Sequence, residues 1–180
     1  MKEIEVKILD INRDEIEKTL LSLGAQKTFE GIVDAMFFDF ENSYFRNNNY
    51  TLRLRKMGNN TGDQTFLTFK KPYDQDGVKE AKIREEYEVE VSDFETIKSF
   101  LESLGLKVYS NIQKNRTSYT LGDTHFELDQ YGGKYAHIPE FLEIESKDVE
   151  TIYRYAELMG FKKEDCKPWS IKDLEKQYKK

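Results

Sequence analysis

Thiol and imidazole groups are nearly missing from this chain. It has one cysteine, Cys166, and two histidines, His125 and His137. A lone cysteine excludes an internal disulfide, and no second thiol lies nearby to make it a redox switch. So few sulfur and imidazole donors also argue against a zinc site of the Cys/His kind. Long apolar runs are missing too. No stretch approaches the ~20 apolar residues of a membrane helix, and the first residues carry charge where a secretory signal needs an apolar core. These lacks point to the cytoplasm, with no membrane partner. There is no excess of basic residues: 28 Lys and Arg against 34 Asp and Glu leave a net charge of −6, which disfavours nucleic acid as a partner. What is present, 38% hydrophobic and 13% aromatic residues, is too apolar for a disordered polymer. A length of 180 residues predicts a single domain over 1–180 with a real core.

The organising feature is alternation. In Glu3-Ile4-Glu5-Val6-Lys7-Ile8 the charged residues share one face of a strand and the apolar residues the other. Leu52 and Leu54 alternate with Arg53 and Arg55. The run from Ala81 to Val91 alternates along its length. Phe126 and Leu128 alternate with Glu127 and Asp129, and Leu142 and Ile144 with Glu143 and Glu145.

Taken in order, the pattern predicts a strand over 2–9, then a helix capped by Asn12 and stopped by Gly24. An extended pair is expected over 28–40 and a polar turn over 42–49, read as a mobile surface loop rather than a sensing loop. A hairpin follows, 50–57 and 64–71 around a turn at 58–63, then a loop over 73–80 containing Asp76-Gly77. A strand is expected over 81–91. Ser92-Asp93-Phe94-Glu95 reads as a capping box opening a second helix, which ends at Gly105. Strands near 106–120, 124–131 and 141–146 precede a helix over 149–159, and a short helix is expected after Ser170. A weak internal repeat links Leu20-Leu21-Ser22-Leu23-Gly24 to Leu101-Glu102-Ser103-Leu104-Gly105. It also links residues 65–70 to 140–145 and puts Lys70 in the place of Glu145.

One charged strand face is ordinarily a wet one. Two features of the set argue otherwise. Amphipathic helices need an apolar surface to cover, so they belong outside the sheet, and the charged faces then line its concave side. Arginine also recurs, at Arg53, Arg55, Arg84 and Arg116, and planar bidentate donors suit phosphate. A curved sheet or barrel lined with both signs of charge calls for a polyanion. Its carboxylates, with no His or Cys among them, call for a hard cation, Mg²⁺ or Mn²⁺. The pattern therefore predicts a metal-dependent triphosphate site and leaves the reaction open.

Glu3-x-Glu5-x-Lys7 resembles the ExExK signature of the CYTH group, the triphosphate tunnel metalloenzymes. The ordered series strengthens the resemblance: Arg53-x-Arg55, Thr68-x-Lys70-x-Pro72, Arg84-x-Glu86-x-Glu88, Lys114-x-Arg116, Glu127-x-Asp129 and Glu143-x-Glu145. It spans about residues 1–175. The segment 140–145 and Ser170-x-x-x-Leu174 look closest to the class IV adenylyl cyclase branch, although Ile171 stands where an aromatic is usual.

The resemblance implies an α+β fold, a closed antiparallel eight-stranded barrel with helices outside. It implies Lys7, Arg53, Arg55, Lys70, Arg84, Lys114 and Arg116 as triphosphate ligands, with Lys7, Lys70 and Arg116 catalytic. It implies Glu3, Glu5, Glu86, Glu88, Asp129, Glu143 and Glu145 as metal ligands. Glu90 and Glu127 are read as solvated residues at the barrel mouth, and Lys172 as a residue closing one end. ATP or another triphosphate is the implied substrate, and a homodimer is compatible with it. A cyclase would make cyclic AMP and pyrophosphate. The alternatives are an inorganic, thiamine or nucleoside triphosphatase, and a non-catalytic polyphosphate-binding module. Phe37, Phe38, Tyr44 and Tyr50 are candidates for stacking on an organic head-group, with a core role favoured.

Overall fold

The computed structural model describes residues 2–59, 62–73 and 80–179. The expected Asp76-Gly77 loop and the middle of the turn at 58–63 lie outside the described residues. Eight strands form a closed barrel: β1 (Lys2–Ile8), β2 (Gln26–Asp39), β3 (Thr51–Asn59), β4 (Gly62–Pro72), β5 (Lys82–Val91), β6 (Lys107–Leu121), β7 (Thr124–Tyr131) and β8 (Phe141–Ser146). Their order around the barrel is β1-β5-β4-β3-β2-β6-β7-β8, with every neighbouring pair antiparallel. The helices are α1 (Arg13–Ser22), α2 (Tyr44–Asn47), α3 (Phe94–Ser103), α4 (Val149–Leu158) and α5 (Ile171–Tyr178). This is the fold the resemblance implies.

Alternation places the hydrophobic core between the barrel and its helices. Ile4, Val6 and Ile8 of β1, with Phe126, Leu128, Leu142 and Ile144, pack against Ile16 and Leu20 of α1 and Ile152 and Ala156 of α4. A second cluster joins Phe38 and Leu54 to Leu101 of α3 and to Leu106. In a third, Phe141 and Ile138 meet Leu174 of α5, with Tyr131 and Trp169 packed against them. That cluster lies beyond Lys7, whose ammonium is 5.9 Å from the centre of the Phe141 ring. Burying each apolar face against a helix leaves the charged face the barrel interior.

The similarity of residues 20–24 and 101–105 is a shared way of ending a helix, one that α4 also uses at Gly160, φ 87°. α1 and α3 end on left-handed Gly24 at φ 87° and Gly105 at φ 88°. Each end is closed by the same backbone bond, Ala25 N–H to Leu20 C=O at 3.0 Å and Leu106 N–H to Leu101 C=O at 3.2 Å.

Three local expectations change. Residues 26–39 are one continuous strand rather than an extended pair, because β2 hydrogen-bonds to β3 on one edge and β6 on the other. Irregularities at Lys27/Phe29 and Phe37/Phe38 let so long a strand follow the barrel's curvature. A β-carbon at Gly31 would collide with the Gly58 carbonyl oxygen, so glycine is needed there. The α3 cap is Asp93, not Ser92: its carboxylate accepts the Thr96 N–H at 2.6 Å. The segment 42–49 holds α2 and is tied down by buried Asp39. That carboxylate accepts the N–H groups of Phe40, Phe45 and Arg46 and the Arg46 Nε–H, at 2.8–3.1 Å.

Candidate active site

Cross-strand register stacks the charged residues of neighbouring strands on the inner face. Glu3 lies opposite Arg84, Lys7 opposite Glu143, and Glu5 opposite both Lys82 and Glu145. Lys70 faces Glu86, and Thr68 faces both Arg53 and Glu88. Arg116 faces Asp129, which faces Phe141. All the sequence-predicted phosphate and metal ligands therefore fall on this lining. β2 adds no charge to it: opposite Arg116, Lys114 and Arg55 stand Gly31, Val33 and Ala35.

The carboxylates divide by the cations they meet. Asp129, 0% exposed, is held bidentately by Arg116, Nε to Oδ1 at 2.7 Å and Nη2 to Oδ2 at 2.6 Å. Lys114 Nζ adds a third contact at 2.6 Å. Burial opposes the Asp129 charge, but these partners outweigh it and hold its carboxyl well below the usual range. Glu88 accepts from Arg55 at 2.8 Å and from Thr68 Oγ1 at 2.6 Å. Glu143 pairs with Lys7 at 2.6 Å. Glu5 meets two ammonium groups on one oxygen, Lys82 at 2.5 Å and Lys7 at 3.3 Å. Burial works against the Glu5 charge, yet Lys7 and Lys82 together pull its carboxyl well down.

Glu3, Glu86 and Glu145 form a separate group, with one oxygen of each within 4.8 Å of the others. Lys70 contacts two of the three, Glu3 Oε1 at 2.5 Å and Glu86 Oε2 at 3.2 Å. Glu3 Oε2 is buried without a hydrogen-bond partner, and Glu3 is only 4% exposed. Burial, then repulsion from Glu5 and Glu86 that Lys70 only partly offsets, pushes the Glu3 carboxyl up to about 7. Burial and the nearby Glu3 and Glu127 charges push Glu145 up to about 8. Three carboxylates with converging oxygens, one of them also carrying an orphaned oxygen, fit a hard cation. Of the seven carboxylates expected as metal ligands, the structure brings these three together. Glu5, Glu88, Asp129 and Glu143 lie outside that group, each paired with a basic side chain.

The cationic side has matching unpaired donors. Arg53, Arg55 and Arg84 each keep a buried Nε without a hydrogen-bond partner. Arg84 spends its Nη2 on the Asn49 carbonyl at 2.5 Å, which links the lining to the α2 segment. Burial, reinforced by Arg116, pushes the Lys114 ammonium down to about 8.

Several placements depart from expectation. Glu127 is not a solvated mouth residue: it pairs with Arg116, and its side chain is 21% exposed. Glu90 is exposed, as expected. Lys172 is exposed on α5, and Leu174 rather than a charge packs over the Phe141 end. Of the four aromatics considered for stacking, Phe38 is core, and Tyr50 belongs to a ring cluster with Tyr44, Phe45 and Phe69. Phe37 alone of the four stands opposite an inward residue, Arg53. Lys82 and Tyr131 join the lining although sequence reasoning gave them no role. Each stands two residues from an assigned member, Arg84 or Asp129, so alternation was the signal that could have found them.

The two raised carboxyls predict a pH response. Both bind protons more tightly in the native state than in the unfolded one, whose value is near 4.5. Their contribution is complete below that value and is lost as pH rises through about 7 and about 8. The ligand-free protein is therefore expected to lose on the order of a few kcal/mol of stability between pH 5 and 8. Urea unfolding at fixed ionic strength measures it, and a flat profile refutes it.

Among the described residues, no helix is long and apolar enough to cross a membrane. Residues 1–159 match the family model described as the CYTH domain. A candidate adenylate cyclase of Methanocaldococcus jannaschii is 28% identical over 152 residues, 84% of this chain and 80% of that protein. A solved structure from Pyrococcus horikoshii superposes with a TM-score of 0.73 at 27% identity, covering 96% of this chain and 98% of that one. A Hippeastrum protein superposes with a TM-score of 0.56 at 17% identity, covering 91% and 87%, and its structure is described as that of a candidate adenylyl cyclase with dominant triphosphatase activity.

Proposed function

This chain belongs to the CYTH family, whose enzymes act on triphosphates such as ATP as adenylyl cyclases or triphosphatases, and from that premise we propose that it converts ATP to cyclic AMP and pyrophosphate. One observation carries the reading: buried guanidinium Nε donors on Arg53, Arg55 and Arg84 and a buried carboxylate oxygen on Glu3 all lack partners in the same lining. Unsatisfied buried groups of both signs are costly unless a ligand meets them. A polyphosphate with a divalent cation meets both.

In this reading Arg53, Arg55, Arg84, Lys7, Lys70, Lys114 and Arg116 bind and orient the phosphate chain. Glu3, Glu86 and Glu145 hold Mg²⁺ or Mn²⁺, with Glu5, Glu88, Asp129 and Glu143 keeping the cations in place around them. A divalent ion there supplies charge neutralisation on the phosphate oxygens. The ribose 3′-oxygen attacks the α-phosphorus, and pyrophosphate leaves against guanidinium groups that stabilise its growing charge. Lys7, Lys70 and Arg116 are the residues we place closest to that charge. Lys114, brought down to about 8, can exchange a proton near neutral pH. We place the reaction in the cytoplasm on cysteine usage.

The second reading is a triphosphatase, in which water attacks the terminal phosphorus. It is favoured by the placement of the four aromatics considered for holding a base, of which only Phe37 shares the inward face. The Hippeastrum neighbour, described as having dominant triphosphatase activity, supports it. Product analysis decides between them. Purified protein with Mg²⁺ or Mn²⁺ is given ATP, tripolyphosphate and thiamine triphosphate separately. Cyclic AMP with pyrophosphate is the expected outcome. Orthophosphate with no cyclic product establishes the triphosphatase, and triphosphate binding without turnover leaves a binding module.

A further inference from the structure

Lys70 stands inside the acidic group, not beside it. Its ammonium lies 2.5 Å from Glu3 Oε1 and 3.2 Å from Glu86 Oε2, and its side chain is 15% exposed. Arg53 approaches the same Glu86 carboxylate from β3, 3.9 Å away. Glu3, Glu86 and Glu145 converge within 4.8 Å, and Glu3 Oε2 has no partner. In the ligand-free protein Lys70 is thus the cation that the acidic group closes on.

We propose that Lys70 is the resident cation of the ligand-free site, and that a divalent ion displaces it onto the phosphate chain, so that metal and triphosphate each strengthen the other's binding. This rests on reading Glu3, Glu86 and Glu145 as the metal site. An ion held by those carboxylates shares Glu3 and Glu86 with the ammonium, and two cations on shared ligands repel. Lysine suits such a role. Its ammonium is a compact charge on a flexible stem, with three rotatable donors and no fixed planar geometry to preserve. Arg116, clamped in a two-point fork on Asp129, could not move without leaving that buried carboxylate to Lys114 alone. Once displaced, Lys70 still stands beside Arg53, among the groups assigned to phosphate. Whatever factor the metal adds to triphosphate affinity, the triphosphate adds to metal affinity.

The test measures binding, not turnover. Mn²⁺ is titrated into the protein at pH 8 and the free ion is read by EPR, for the wild type, Lys70→Met and Lys70→Arg. Lys70→Met is expected to bind Mn²⁺ roughly tenfold more tightly, the low end of what one neighbouring charge does at a buried site. Lys70→Arg keeps the charge and should stay near wild type. Circular dichroism checks folding, and Lys70→Gln replaces the methionine variant if that one fails to fold. Unchanged or weaker Mn²⁺ binding by the neutral variant overturns the inference while leaving the metal site standing. If no folded protein binds Mn²⁺, the metal reading itself falls. Tripolyphosphate titrated in EDTA reads the anion side. There Lys70→Met should bind about as well as wild type, because Lys70 is still held by the carboxylates. A loss of roughly tenfold, the worth of one charge-assisted contact, means that it grips phosphate from the start and sinks the displacement.

Discussion

Replacing Arg116 by leucine is expected to destabilise the fold by about 3–5 kcal/mol, the scale for removing one partner of a buried ion pair. Asp129 is fully buried, and both its oxygens accept from Arg116. Removing the guanidinium leaves only Lys114 to answer the charge, at 2.6 Å. The cost should be read by urea unfolding at pH 7. Adding Asp129→Leu should recover a good part of it, because the uncompensated anion then disappears. Lys114 then still has the Glu127 and Glu143 carboxylates near it to answer its charge. A single variant as stable as wild type would show that Asp129 is not held as an anion. A double variant less stable than the single one would show that the pair contributes net stability.

Glu3→Gln should move activity and stability in opposite directions. Activity should fall roughly a hundredfold to a thousandfold, the effect of losing a few kcal/mol of charge stabilisation at a metal-assisted centre. The amide oxygen can still accept from Lys70, so the local geometry survives. Stability of the ligand-free protein at pH 8 should rise, because the substitution removes a buried carboxyl whose proton is held up to about 7. The fall in stability between pH 5 and 8 should also become shallower. Steady-state rates and urea curves across that range measure both effects. Full activity would remove Glu3 from the metal site. Lower stability at pH 8 would mean that its charge is satisfied in the native state, contrary to its orphaned oxygen.

Much of this arrangement is legible in the chain itself because β-structure has a period of two. Once Ile4, Val6 and Ile8 are assigned to a core, Glu3, Glu5 and Lys7 have only the other face available. The same reasoning holds for Arg53 and Arg55, and for Glu143 and Glu145. Helix ends were readable for a different reason. Gly24 and Gly105 sit where the backbone turns left-handed, which other residues adopt at a cost. The cap of α3 was misplaced by one residue because Ser92 and Asp93 offer the same kind of oxygen. Only the strand's end decides which of them stands beside the free N–H groups. β2 was misread because the bends of a long curved strand resemble a chain break in one dimension.

Pairing across the barrel was not legible. Sequence alone determined that most of these charges share one strand face, that they carry both signs, and that the acids come without thiol or imidazole donors. It could not say which acid meets which base, because partners such as Lys70 and Glu3, 67 positions apart, are set by strand order and shear. Tertiary structure alone decided that basic partners hold the Asp129 and Glu5 carboxyls down while burial pushes those of Glu3 and Glu145 up, and that Glu127 turns inward to Arg116. The physical reason is that a carboxylate's state depends on its desolvation and on charges within a few ångström. Both are properties of the closed barrel and of no single strand.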